Sequence, residues 1–379
     1  MVTFTISCVK KATNIPQLSI VYILMLSKVV ANVFFAATLG FGCFAQASET
    51  SGAGRVLIVE HPAATEAFTP IPKAVESMLT AGLLRFSGEA SEKSAWQNLV
   101  STQDVVGIKV HSAPGRTSGT RPVVVAALIE SMLRSGIPRD QIVIWDRRSI
   151  DLRLAGYYEL AEKYRVGIAG AVEAGYDRDV SYATPLIGKL VHGDLEFGKR
   201  GDGVGRNSYA SKLVSQRLTK IINVTPLLNH NQAGVSGALY GLATASVDNV
   251  LRFEDPDRMA TAIPEIYGMP QLADKVVLNI VDALICQYRG EERSLLHYST
   301  VLNQLWFSRD PVAVDALAIK VLEENRAETE NRKTAPPIYA NAELMELGVA
   351  DPKRLSIERL KMDAKGTSST RPAAGGTSN

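Results

Sequence analysis

An α/β fold built on a mainly parallel sheet is predicted by three features of the sequence. Short apolar runs recur as strand candidates, and helical patterns separate several of them. Residues 104–146 read in order as strand, loop, helix, short turn and strand. That order is a βαβ unit, from which parallel sheets are assembled.

The elements follow in chain order. RVLIVE (55–60) is a short buried strand, and PKAVESMLTAGLL (72–84) has helical spacing. DVVGIKV (104–110) is a second strand. RPVVVAALIESMLRSG (121–136) is a helix, with Pro122 suited to the first turn, apolar residues at 125, 128, 129, 132 and 133, and Gly136 suited to the end. QIVIWD (141–146) is the next strand. Residues 186–212 are Gly-rich and charged, and predict a hairpin or a long excursion. Further strands are expected at 219–224, 275–281 and 303–308. The last leads into a helix over 310–325, with Asp310 as N-cap and Pro311 at the first helical position.

The two ends differ from this middle. Residues 1–47 contain Lys10, Lys11 and Lys28 but no acid. Residues 29–45 are apolar, and Ala45-Gln46-Ala47 fits a small-x-small cleavage site. A basic start, an apolar stretch and such a site predict a secretory signal peptide, with Met25 an alternative start and an uncleaved anchor helix the alternative reading. The protein is therefore expected to be periplasmic or otherwise exported, with no membrane span after cleavage. The tail 365–379 is low-complexity and is expected to be disordered. One α/β domain over 48–364 remains.

Composition excludes some classes. Removing residues 1–47 leaves 38 basic and 39 acidic residues, a net charge of −1. That balance offers no broad basic footprint for nucleic acid. Of the three cysteines, Cys8 and Cys43 lie in the leader and only Cys286 remains. The mature chain then has no internal disulfide and cannot hold an iron–sulfur cluster alone. No cofactor or metal is named by the sequence.

Open parallel sheets bind ligands beyond the carboxyl ends of their strands. After residues 104–110, which include Lys109, come His111 and a loop with Arg116, Thr120 and Arg121 before a helix N-terminus. Hydroxyls, backbone N–H groups and two Arg predict a phosphate or carboxylate site. Asp146 ends the next strand. After 219–224 comes TPLLNHNQAGVSGALYG, where His230 is an acid/base or ligand candidate between Asn229 and Asn231. Gly234, Ser236 and Gly237 would allow close backbone approach. Asp282 follows residues 275–281, and Asp315 lies one turn into its helix. His230, Asp146 and Asp282 are the catalytic candidates, and the others are candidates for substrate binding. Each has a structural alternative: a capped loop, a hydrogen-bonded His, or an Asp paired with an Arg.

The segments VVGIKVHSAPGRTSGTRPVVVAALIESMLRSGIPRDQIVIWDR, INVTPLLNHNQAGVSGALYGL, VLNIVDALICQYRG and LWFSRDPVAVDALAIKVLE occur in the order seen in the DUF362 family, which this chain resembles over roughly residues 55–325. The resemblance implies an α/β fold, an export signal and a site at His230. Some members carry ferredoxin-type cysteines, which this chain lacks. The family's Lys before the His and Lys-Asn after the glycines are replaced here by Leu227 or Leu228 and by Tyr240-Gly241. A looser likeness to lactate racemase-type proteins rests on Thr120-Arg121-Pro122 and QIVIW, without the Lys that anchors their nickel pincer cofactor. The expected function is an enzyme acting on a small anionic molecule, with metal assistance left open. The alternative is a non-catalytic exported binding protein, or an accessory to an exported redox partner.

Overall fold

The chain is described from a computed structural model covering residues 53–199, 201, 203–326, 335–364 and 366. The predicted leader lies outside the described residues, as does the tail apart from residue 366. Ten strands and eight helices organise the described part. They are β1 (Arg55–Glu60), α1 (Pro72–Ser87), β2 (Val106–Val110), α2 (Pro122–Arg134), β3 (Ile142–Asp146), α3 (Ser149–Leu154), α4 (Tyr157–Tyr164) and β4 (Gly167–Gly170). Then come β5 (Tyr176–Lys189), β6 (Val204–Ser211), β7 (Lys220–His230), α5 (Ala238–Ser246), α6 (Pro256–Tyr267), β8 (Val276–Gln287), β9 (Ser299–Ser308), α7 (Pro311–Glu324), α8 (Pro337–Leu344) and β10 (Ser356–Lys361).

The main sheet runs β10-β1-β9-β8-β7-β2-β3-β4. Only β9 is antiparallel to its neighbours, so the predicted mainly parallel sheet is present. Both faces are covered, which is why the central strands read as continuous apolar runs rather than alternating ones. Along β3, Ile142 and Ile144 enter one core with α1, α2 and α4. Val143 and Trp145 enter the other, with α5, α6, α7 and α8. The excursion predicted at 186–212 is an antiparallel hairpin, β5–β6.

Local sequence explains the helix ends. α2 starts on Pro122 and buries Val124, Val125, Leu128, Ile129 and Met132. The chain leaves it through Gly136 at φ 90°, a left-handed conformation that glycine adopts without a Cβ clash. In α7 the carboxylate of Asp310 accepts from the N–H of Ala313, as expected of the N-cap.

Several boundaries differ from expectation, among them those nearest the site. The strand predicted at 219–224 continues to His230, and the one predicted at 275–281 continues to Gln287. Asp282 is therefore inside β8 rather than beyond its end. The glycine-rich stretch after His230 is a short strand pair, Gly234–Val235 against β7, followed by α5.

The sheet order creates a crevice. From β2 the chain winds outward through β3 to β4, then returns to lay β7 on the other side of β2. Strand order reverses there, and at such a point the loops beyond the strand ends diverge and leave room for a ligand.

Candidate functional site

The carboxyl ends of β2 and β3 meet at a buried ion pair. Lys109 Nζ stands 3.3 Å from Asp146 Oδ1, and the lysine side chain is only 2% exposed. Gly241 on α5 lies beside that ammonium: a Cβ there would sit at an ordinary contact of 3.6 Å from Nζ. The second oxygen, Asp146 Oδ2, accepts from the N–H of Ser112 at 2.7 Å and from its hydroxyl at 2.6 Å. Burial pushes the Asp146 carboxyl up, but Lys109, His111 and the two Ser112 donors outweigh it and hold it below the ordinary range.

His111 follows directly. The residue is 8% exposed and its Nε2 has no hydrogen-bond partner; Glu292 Oε1 stands 3.6 Å from that nitrogen. Burial first, and then the Lys109 charge, pull its pKa down to about 4, with Asp146 opposing. The imidazole is thus neutral at pH 7. The loop after it is pinned by Thr120: its hydroxyl accepts from the N–H of His111 at 2.9 Å and donates to the carbonyl of Val224 at 2.7 Å.

The sign of the His111 shift gives a pH prediction. A histidine whose folded pKa lies below its unfolded value adds stability that is fully present above pH 6.5 and lost as pH falls towards 4. The shift corresponds to about 3 kcal/mol. Wild type should therefore lose about that much more unfolding free energy than His111→Gln between pH 7 and pH 4, by chemical denaturation. Parallel pH curves for the two proteins would show that His111 is not held neutral.

A cavity of about 260 Å³ opens over these groups. His111, Asp146, Arg147, Arg148, Asp151 and Glu292 line it, together with Tyr240 and Thr244 of α5 and with Phe253, Glu254 and Met259. Of the residues singled out in the sequence, His111 and Asp146 reach the cavity wall, while Lys109 and Thr120 support it from behind.

The others have structural employment. Arg121 Nη1 meets Asp282 Oδ1 at 2.9 Å, and the backbone N–H of Arg121 donates to Oδ2 at 2.9 Å. Both side chains are buried, so this guanidinium is neutralised inside the fold rather than offered to an anion. Arg116 is exposed, 3.8 Å from Glu159, outside the cavity. His230 Nδ1 accepts from the N–H groups of Ala233 at 3.0 Å and Gln232 at 3.3 Å, capping its own turn. Burial lowers its pKa against the pull of Glu291. Its ring lies 4.3 Å from that of Tyr240, which lines the cavity, whereas His230 does not. Asn229 Oδ1 accepts from the N–H of Glu291, and the N–H of Asn231 donates to the carboxylate of Glu291, so both asparagines tie the β7 turn to the loop after β8.

Asp315 caps α5. Its oxygens accept from Ala238 N–H at 2.6 Å and Leu239 N–H at 2.9 Å, while burial pushes its carboxyl up to about 7. Gly237 permits this approach, because a Cβ there would stand 2.0 Å from Asp315 Oδ1. Gly234 is needed at φ 81° for the turn, and Ser236 is buried with its Oγ unpartnered.

Arg147, Arg148, Asp151, Tyr240, Glu254 and Glu292 were not assigned to a site from the sequence. For the two arginines and Asp151 a signal existed, since they follow Asp146 at a strand end. Glu254 and Glu292 come from distant loops that no local pattern marks. Among the described residues, no group of three or more His, Cys, Asp or Glu is placed to hold a metal ion. No helix among them is long and apolar enough to cross a membrane.

No family model matches the chain, and no curated protein matches it. Among solved structures, a protein from Thermotoga maritima aligns with a TM-score of 0.38 and 11% identity, over 69% of this chain. The chain spans 60% of that protein's length, and a likeness of this degree says nothing about function.

Proposed function

We propose that the protein is an exported enzyme of DUF362 type, acting on a small molecule that carries an anionic group in the cavity beyond β2 and β3. The observation that carries this reading is His111 Nε2, a buried ring nitrogen with no hydrogen-bond partner, on the wall of that cavity. Leaving a buried polar atom unsatisfied costs about 1–3 kcal/mol, a cost that a bound ligand would remove. His111 is the proton acceptor, kept neutral so that a lone pair is available at pH 7. Arg147 and Arg148 are the partners of the anionic group, in place of Arg116 and Arg121. The Lys109–Asp146 pair fixes the loop that presents His111.

The test is a thermal-shift screen of the purified protein with small carboxylates, phosphates and sulfonates. At least one should raise Tm in wild type and not in Arg147→Ala/Arg148→Ala, because binding to the native state alone stabilises by mass action. Products are then sought by mass spectrometry with wild type and His111→Ala. A ligand bound equally by wild type and the double Arg variant would overturn the site. Binding to Arg147 and Arg148 without any turnover would leave a carrier rather than an enzyme.

A further inference from the structure

The cavity wall holds charges of both signs that have not paired with one another. Lys109 already balances Asp146. That leaves Arg147 and Arg148 at the end of β3, Asp151 in the first turn of α3, Glu292 in the loop after β8 and Glu254 between α5 and α6. Among the described residues, no ion pair or hydrogen bond joins either arginine to Asp151, Glu254 or Glu292. Opposite charges around so small a space ordinarily close on each other unless the fold holds them apart. Held apart, they present two separate poles to whatever enters.

We propose that the ligand is a small zwitterion, with its anionic group on Arg147 and Arg148 and its ammonium group between Glu292, Asp151 and His111 Nε2. This rests on the reading above and names its substrate class, an amino acid or a similar molecule carrying both charges. Three observations converge on the cationic pole. Glu292 Oε1 and His111 Nε2 stand 3.6 Å apart, so one ammonium group has an acceptor on each side. In the tautomer protonated at Nδ1, the unpartnered Nε2 of neutral His111 has a lone pair for an ammonium N–H, which a second anion would not satisfy. Desolvation and neighbouring carboxylates, Asp146 for both groups and Asp151 for Glu292, raise the carboxyls of half-buried Asp151 and more exposed Glu292 above their ordinary values against the pull of Arg148, so negative charge outweighs positive at this pole. The cavity, at about 260 Å³, is also small. It falls below the roughly 300–1,000 Å³ of drug-sized sites.

The experiment is isothermal titration calorimetry of the full-length protein with probes of graded length. Glycine, β-alanine, 4-aminobutanoate, 5-aminopentanoate and lysine supply the zwitterions; acetate, butanoate and butylamine supply the single charges. One zwitterion is expected to bind at least tenfold more tightly than the carboxylate or amine of similar length. Glu292→Gln with Asp151→Asn should remove that tenfold advantage while leaving the weak carboxylate binding, and Arg147→Ala with Arg148→Ala should remove both. Carboxylates that bind as tightly as the zwitterions, and ignore the Glu292 and Asp151 changes, would overturn this inference and leave the anion reading standing. Binding of the amine alone would overturn both, and so would the failure of every probe.

Discussion

Asp282→Ala is expected to cost about 3–5 kcal/mol of folding stability, because it strands the Arg121 guanidinium inside the protein. Both side chains are almost completely buried, and the carboxylate takes both Nη1 and the backbone N–H of Arg121. Without Asp282, Arg121 keeps only the carbonyl of Thr117 at 3.0 Å and that of Ile285 at 3.4 Å, too little to replace a charge. Since a domain has about 5–15 kcal/mol in total, the variant should unfold at far lower denaturant concentration. Arg121→Met with Asp282→Leu should recover most of the loss, because an apolar pair of similar volume carries no desolvation penalty. Chemical denaturation of the three proteins decides the matter. A single variant as stable as wild type, but unable to bind ligand, would return Asp282 to the catalytic role that its place after an apolar run suggests.

The strands were legible where burial on both faces wrote a continuous apolar run, as in RVLIVE, VGIKV and IVIWD. β4 (GIAG) and β10 (SIERLK) were not, because edge strands carry small or polar residues and lose the pattern. β7 misled for a different reason. The expected strand stopped at residue 224, before Pro226, which lacks the N–H of a central strand; the observed strand continues through buried Leu227 and Leu228 beside an irregularity in its pairing with β8. The rule of strand carboxyl ends pointed to His111 and Asp146, and both line the cavity beyond β2 and β3. It could not say which polar groups pair among themselves. Arg121 and Asp282 are 161 residues apart, and Asp315 reaches the start of α5 across 77, so their mutual neutralisation exists only in three dimensions. Polar residues at strand ends thus divide into those that hold the crevice open and those left facing it.

Lys109→Met separates those two roles within the site. The lysine is almost wholly buried and does not line the cavity, so any effect on His111 must pass through charge and loop position. Its removal leaves Asp146 with the N–H and hydroxyl of Ser112 but no counter-ion, at an expected cost of about 3–5 kcal/mol near pH 7. Asp146, no longer pulled down by the ammonium, will protonate at higher pH than in wild type. The deficit should therefore shrink as pH falls and the buried carboxyl becomes neutral. His111 moves the same way: losing the positive charge of Lys109, with Asp146 ionised beside it, raises its pKa from about 4 towards the ordinary histidine range. Burial persists, so the rise should be partial. An NMR titration of the imidazole protons, beside denaturation curves at two pH values, measures both quantities. A His111 pKa that stays near 4 in Lys109→Met would mean that burial alone keeps the imidazole neutral, and the lysine would then be a brace for Asp146 with no part in tuning the base.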